Sequence, residues 1–250
     1  VGRGGGIYLS NSSLIMHGSI IDKNKTVGGS GKGVNIYNII GRKVGGDSFG
    51  GGIYYNSSSS WLYNCILNSN LAIGGETLPS GNNGSAYGGS VYDSDSSISL
   101  INCTIANNDI IKGEDGIGGI ENGGGIYGDY NQIINTILWN NRVNQIDGIT
   151  TSTQPSYSCI QDWTSGGVGN ISLDPQFVDA ENGDFHLKST SPCIDAGMRI
   201  ENLLFDIEGN RRGIKGTSEQ RGDGSNYDIG AYEYNPSKSA VDKRNWEMYE

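Results

Sequence analysis

The chain has 250 residues, of which 41 are glycine and 35% hydrophobic, and a formal net charge of −10. That charge argues against nucleic acid and anionic membrane surfaces as main partners. No apolar run approaches the roughly 18 to 20 residues needed for membrane insertion.

From residue 4 onward the chain repeats one phrase. It reads Gly4-Gly5-Gly6-Ile7-Tyr8, then Gly50-Gly51-Gly52-Ile53-Tyr54, Gly88-Gly89-Ser90-Val91-Tyr92 and Gly123-Gly124-Gly125-Ile126-Tyr127. A second phrase closes each unit, ending on Asn24, Asn70, Asn108 and Asn141. Ile7 to Asn24, Ile53 to Asn70 and Val91 to Asn108 each step 17 residues, and Ile126 to Asn141 steps 15. Successive Ile/Val positions lie 46, 38 and 35 residues apart. A nearly fixed unit with elastic spacers is a structural repeat with insertions at one corner.

Each unit has a short β-prone run, a Ser/Asn-rich bend such as Asn56-Ser57-Ser58-Ser59-Ser60, and a second alternating run such as Trp61-Leu62-Tyr63-Asn64-Cys65-Ile66-Leu67. Runs this short bury no face alone and must stack on the same run of the next unit. Stacking predicts parallel ladders with Ile, Val and Leu filling the inside. The phrases resemble those of right-handed parallel β-helix proteins, a family of bacterial secreted and surface solenoids, over about residues 4 to 163. The resemblance implies an all-β solenoid of about five coils over 1–165, with long loop insertions. An irregular C-terminal cap over 166–234 and a polar tail or linker over 235–250 complete it.

The chain starts at Val1 without a signal peptide, and a full repeat begins within three residues. Solenoids normally open on an atypical capping unit. The expectation is a piece of a longer chain whose first ladder, if bare, stacks on another molecule into a filament.

Residues 25 to 49 form the longest interruption and enclose an alternating run, Gly33 to Ile40, expected as an extra strand. Lys23, Lys25, Lys32, Arg42 and Lys43 flank it. The interruptions at 71 to 86 and 109 to 122 are Gly-rich and carry Glu76, then Glu114 and Asp115. In register, these loops project side by side from one edge, either as binding loops on a rigid scaffold or as solvated insertions.

Tyr8, Tyr54, Tyr92 and Tyr127 each follow the aliphatic position, so strand alternation turns them outward. Such a strip either holds sugar rings or forms a structural ladder. Cys65 and Cys103 fall at equivalent places, and Cys159 is expected to continue their column. Stacked residues about 4.8 Å apart point the same way, which predicts buried inert thiols instead of strain-free disulfides. No Cys-x-x-Cys pair suggests a zinc or redox site.

Asp93 and Asp95 are the one tight acidic pair on a repeat strand, where sister units have Tyr55/Ser57 and Leu9/Asn11. A glycosidase needs two opposed carboxyl groups, yet Asp before Ser is also an ordinary turn choice. His17 and His186 sit in no metal-ligand spacing.

From Gly166 the rhythm changes to Asp174-Pro175-Gln176-Phe177-Val178-Asp179, Asp184-Phe185-His186-Leu187 and Ser191-Pro192-Cys193-Ile194-Asp195-Ala196-Gly197. Asp206-Ile207-Glu208-Gly209-Asn210-Arg211-Arg212 and Asp228-Ile229-Gly230-Ala231-Tyr232-Glu233 follow. This set is similar to the closing segment of many large bacterial secreted β-helix proteins, which implies export to an extracellular or cell-surface address. Asp206, Glu208 and Asn210 alternate in a way that can offer oxygens to Ca²⁺. The adjacent Arg211 and Arg212 favour a network of Asp206, Arg212, Asp228 and Glu233 holding the cap together. No other cofactor is suggested.

These features point to a non-catalytic extracellular structural or adhesive segment of a larger surface protein or filament. Its expected partners are further copies of itself or a polysaccharide or cell-surface glycan. The alternative is a carbohydrate-binding or polysaccharide-degrading β-helix, a glycosidase or lyase, with Asp93 and Asp95 as acids and the tyrosine strip as sugar platform.

Overall fold

A computed structural model of the chain describes residues 1–31, 44–149 and 153–238. The Gly33 to Ile40 run, Lys32, Arg42, Lys43 and the tail from residue 239 lie outside the described residues. The second coil shows the building plan: Ser48–Phe49, Ile53–Asn56, Ser59–Tyr63, Ile66–Asn68 and Leu71–Ile73 are five short strands separated by corners. The third coil repeats it with Ala86–Tyr87, Val91–Ser94, Ser97–Ile101, Thr104–Ala106 and Asp109–Ile111. Every one of these strands pairs in parallel with its counterpart in the next coil, giving five stacked parallel sheets. The chain is an all-β parallel β-helix solenoid.

The corners explain the glycine and asparagine content. Each coil bends where one residue takes a left-handed backbone conformation, which costs an L-residue least when it is Gly or Asn. Gly18, Asn64, Asn102 and Asn135 supply one such file, with φ of 55°, 51°, 52° and 49°. Lys23, Ser69, Asn107 and Asn140 supply the next. At the glycine phrase the need is closer approach: a Cβ on Gly51 would lie 2.2 Å from the Gly89 carbonyl oxygen in the coil below.

Ile7, Ile53, Val91, Ile126 and Ile146 form one inward file in continuous register. With Leu62, Leu67, Leu100, Ile105, Ile133 and Leu138 they make a narrow dry column, against whose neighbourhood Ile149 and Trp163 also pack. The closing asparagines line that column's edge as a buried ladder. Asn24, Asn70 and Asn108 each donate from backbone N–H and side-chain NH₂ to the side-chain oxygen of the next Asn, at 2.8–3.1 Å. Gln145 ends the ladder by accepting from Asn141.

The loops also stack. Gly46 donates to Gly29, Gly75 to Gly46, Gly84 to Gly75 and Gly113 to Gly84, through backbone bonds of 2.7–3.0 Å. The described parts of the insertions are therefore a hydrogen-bonded seam off one edge of the solenoid, in which a Cβ on Gly75, Gly84 or Gly113 would lie 2.1 Å from a backbone oxygen.

The module from residue 171 extends beyond a cap on the last coil. Outward-facing Ile66, Ile137 and Cys159, which share one register with Thr104, and Ala106 two residues beyond Thr104 pack with Phe177, Phe185, Cys193, Ile194, Ile229 and Ala231 in a second core along the solenoid's flank. Ile20 heads the same register in the first coil and is 62% exposed.

The cysteines differ in one respect from the expected column. Cys65 and Cys103 follow it, but Thr136 takes the next place, its hydroxyl accepting from the Cys103 N–H. Cys159 pairs in register with Ile137 and faces the module core beside Cys193. A one-residue step along a strand moves a side chain to the opposite face, which explains the change. All four thiols are free and buried.

Candidate functional site

The tyrosine strip is real and outward. Tyr8, Tyr54, Tyr92 and Tyr127 stack in order at 5.3 Å between ring centroids, with planes within 1°, 3° and 6° of parallel. A second file braces the stack edge-on: Phe49 meets Tyr92 at 4.7 Å and Tyr87 meets Tyr127 at 5.0 Å. The Arg3 guanidinium lies 5.5 Å over Tyr54. At the far end Gly148 sits on Tyr127, where a Cβ would come within 2.8 Å of the ring.

A sugar platform presents a ring face to solvent, whereas here the faces cover one another. Tyr54 is only 6% exposed and Tyr8, at the head of the stack, is 51% exposed. Burial also pushes the Tyr92 hydroxyl up to about 12. The strip has the geometry of a structural ladder, with Tyr8 offering the one uncovered face among the four.

Asp93 and Asp95 are split by the corner between them. Asp93 pairs in register with Tyr55, itself paired with Leu9, and both of these pack into the core. Asp93 therefore points inward and is buried, its Oδ1 without a hydrogen-bond partner. Burial is the main cause that raises its pKa to about 6, with Asp129 and Asp95 adding to it. Asp95 has φ of 57° and matches the left-handed corner positions of Asn11 and Ser57; it is exposed. The structure thus separates the two carboxyl groups between the interior and a turn, instead of opposing them across an open groove.

In the end module Asp206 is buried with all its acceptor capacity used. Its Oδ1 accepts from the Glu208 and Asn210 N–H groups at 2.9 and 2.8 Å. Its Oδ2 accepts from the Asn210 side chain and the Glu233 N–H, both at 3.0 Å. Two carboxylate oxygens offer about four lone-pair positions, so Asp206 has none left for a cation. Glu208 reaches His186 at 3.2 Å, and the Asn210 side-chain oxygen accepts from Lys238. This donor set does not fit calcium. Among the described residues no group of three or more His, Cys, Asp or Glu is placed to hold a metal ion.

What those residues do make is the ionic network. The side chains of Arg212 and Glu233 are fully buried and meet at 3.3 Å. Arg212 also donates to the carbonyls of Gly230 and Ala231 and to Asn64 of the solenoid. Asp228 accepts from the Asp195 and Tyr234 N–H groups. Burial lowers the Arg212 pKa from its usual value, against the raising influence of Glu233, Asp228 and Asp206. His186 bridges Asp184 at 2.6 Å and Glu208 at 3.2 Å, stacked 3.9 Å from Tyr232.

The feature that sequence reasoning missed is a cleft between the solenoid's Asn107–Asn140 corner and the module. One part, about 430 Å³, is lined by Trp139, Asn140, Asp174, Gln176 and Lys188. It continues past Asn107 and Asn140 into a part of about 590 Å³ with Asp109, Arg142, Gln161 and Glu181. Gln161 then borders a third part of about 200 Å³ that holds Trp163. A tryptophan at each end of an amide-rich corner is the only hint the sequence carries.

Comparison of the chain with protein-family models, with curated proteins and with solved structures finds no match.

Proposed function

We propose that this chain is a non-catalytic structural or adhesive β-helix segment of an extracellular surface protein, of the type its repeats and closing module resemble. The observation that carries the reading is the use of polar and aromatic files to hold coil on coil. The asparagine ladder and the tyrosine stack each tie four successive coils together. The acids of the module are likewise engaged as staples for backbone N–H groups and Arg212. A stiff rod that presents surfaces is what such bracing builds.

The test is incubation of the purified chain with neutral and acidic polysaccharides, following reducing ends and unsaturated uronate products. The expected result is no product above background. Product formation that disappears in Asp93→Asn overturns the reading in favour of a carbohydrate-degrading solenoid.

A further inference from the structure

We infer that the cleft between the Asn107–Asn140 corner and the end module binds a neutral oligosaccharide chain. The proposal gives the scaffold an adhesive ligand and rests on the non-catalytic reading above. The two larger parts of the cleft are within the roughly 300–1,000 Å³ usual for small-ligand sites. All three parts are joined end to end by shared lining residues, so the space is elongated like a linear glycan.

Its walls are fixed before any ligand arrives. Asn107 donates to the Ala180 carbonyl at 3.0 Å, tying solenoid to module across the floor, and accepts from Asn140 at 2.8 Å. Gln161 is held by its oxygen, which accepts from the Asn140 N–H at 2.7 Å. Gln176 is held in the same manner by the Thr190 hydroxyl. Each glutamine therefore keeps its NH₂ uncommitted. Among the described residues neither amide NH₂, the Trp139 indole N–H nor the Lys188 ammonium donates to a protein group.

Sugar hydroxyls match this mixture. They accept from amide and indole N–H groups and donate to carboxylates, and Asp174 and Glu181 stand on the same walls. Trp139 packs one side against the module core and lines the cleft, giving an apolar surface for the C–H face of a pyranose. A polyanion fits less well. Arg142 is already shared between Asp109 at 3.6 Å and Glu121 at 3.7 Å, and the chain carries a net charge of −10.

The test is titration of the intact chain with gluco-, xylo-, manno- and chito-oligosaccharides, followed by tryptophan fluorescence and calorimetry. Oligogalacturonate, heparin and an unstructured peptide serve as comparisons, and every mixture is checked for cleavage. At least one neutral series is expected to bind. Gln161→Glu and Gln176→Glu keep the fixed oxygen and remove the NH₂, and each is expected to weaken binding about tenfold with melting unchanged. Tyr8→Ala, on the aromatic strip, is expected to leave affinity unaltered. Failure of every neutral series, preference for a polyanion or peptide, or insensitivity to both glutamine variants overturns the cleft. Cleavage with binding intact would overturn the non-catalytic reading and leave the cleft standing.

Discussion

Asn108 is a buried middle rung of the asparagine ladder and binds the coils on both sides of it. Its oxygen accepts from the N–H and NH₂ of Asn70, while its own NH₂ reaches Leu67, Ala106 and Asn141. Asn108→Ala leaves several of these groups buried without partners, each costing about 1–3 kcal/mol where water cannot replace the bond. A loss of about 2–4 kcal/mol is expected, read as a lower urea midpoint at unchanged slope. Asp93 runs the other way. Its pKa rises from 3.8 to about 6 on folding, so the folded chain binds the proton more tightly than the unfolded one. Its contribution is most favourable below 3.8, falls as pH rises through 3.8 to about 6, and stays reduced above. Asp93→Asn is expected to remove that fall and to stabilise the chain at pH 7 by on the order of 1 kcal/mol. Melting temperature against pH for both proteins checks it; a variant whose curve parallels the parent's would refute the assignment.

At the scale of the element, the coil is what the sequence shows best, because each coil asks the same things of the same positions. A left-handed corner favours Gly or Asn, an inner file favours Ile, Val or Leu, and Ile7, Ile53, Val91 and Ile126 obey together. The glycine loops are less legible, since nothing in a Gly-rich spacer says whether it is solvated or packed. The structure distinguishes neighbouring glycines sharply. A Cβ on Gly75 would lie 2.1 Å from the Gly29 oxygen, whereas one on Gly29 meets nothing within 4 Å. Gly75→Ala is expected to cost about 1–3 kcal/mol through forced separation of the seam. Gly29→Ala is expected to be neutral or slightly stabilising, by up to about 1 kcal/mol, because Ala restricts the unfolded chain. Limited proteolysis of the loops reads the pair directly, with accelerated cleavage in the first variant alone.

For the whole molecule, the question is how an irregular module stays fixed on a regular rod. Its sequence showed a change of rhythm from Gly166 and the acidic residues of the network, but not the flank it covers. That surface is assembled from Ile66, Ala106, Ile137 and Cys159 of four different coils. The cleft was hidden for the same reason: Trp139 and Gln161 stand on successive coils, and Asp174, Gln176 and Lys188 of the module join them only on docking. Apolar contact presses the two parts together, and Arg212 sets their alignment. From inside the module its guanidinium reaches Asn64 at 3.0 Å, while Asn64 in turn donates to the Phe205 carbonyl at 2.9 Å. Asn135 adds a reciprocal pair of bonds with Met198, at 2.7 and 2.8 Å. Removing Arg212 strands the buried Glu233 carboxylate and frees both partners from one another. Arg212→Met is therefore expected to cost about 3–5 kcal/mol, concentrated in the module, so that one melting transition divides into two. The asparagine ladder of the solenoid is untouched by the change and should hold its own transition in place. Protease would then cut first between residues 171 and 234, leaving a resistant solenoid core. A single transition at the parent temperature, with no early cleavage, would show that packing alone docks the module and that Arg212 is dispensable.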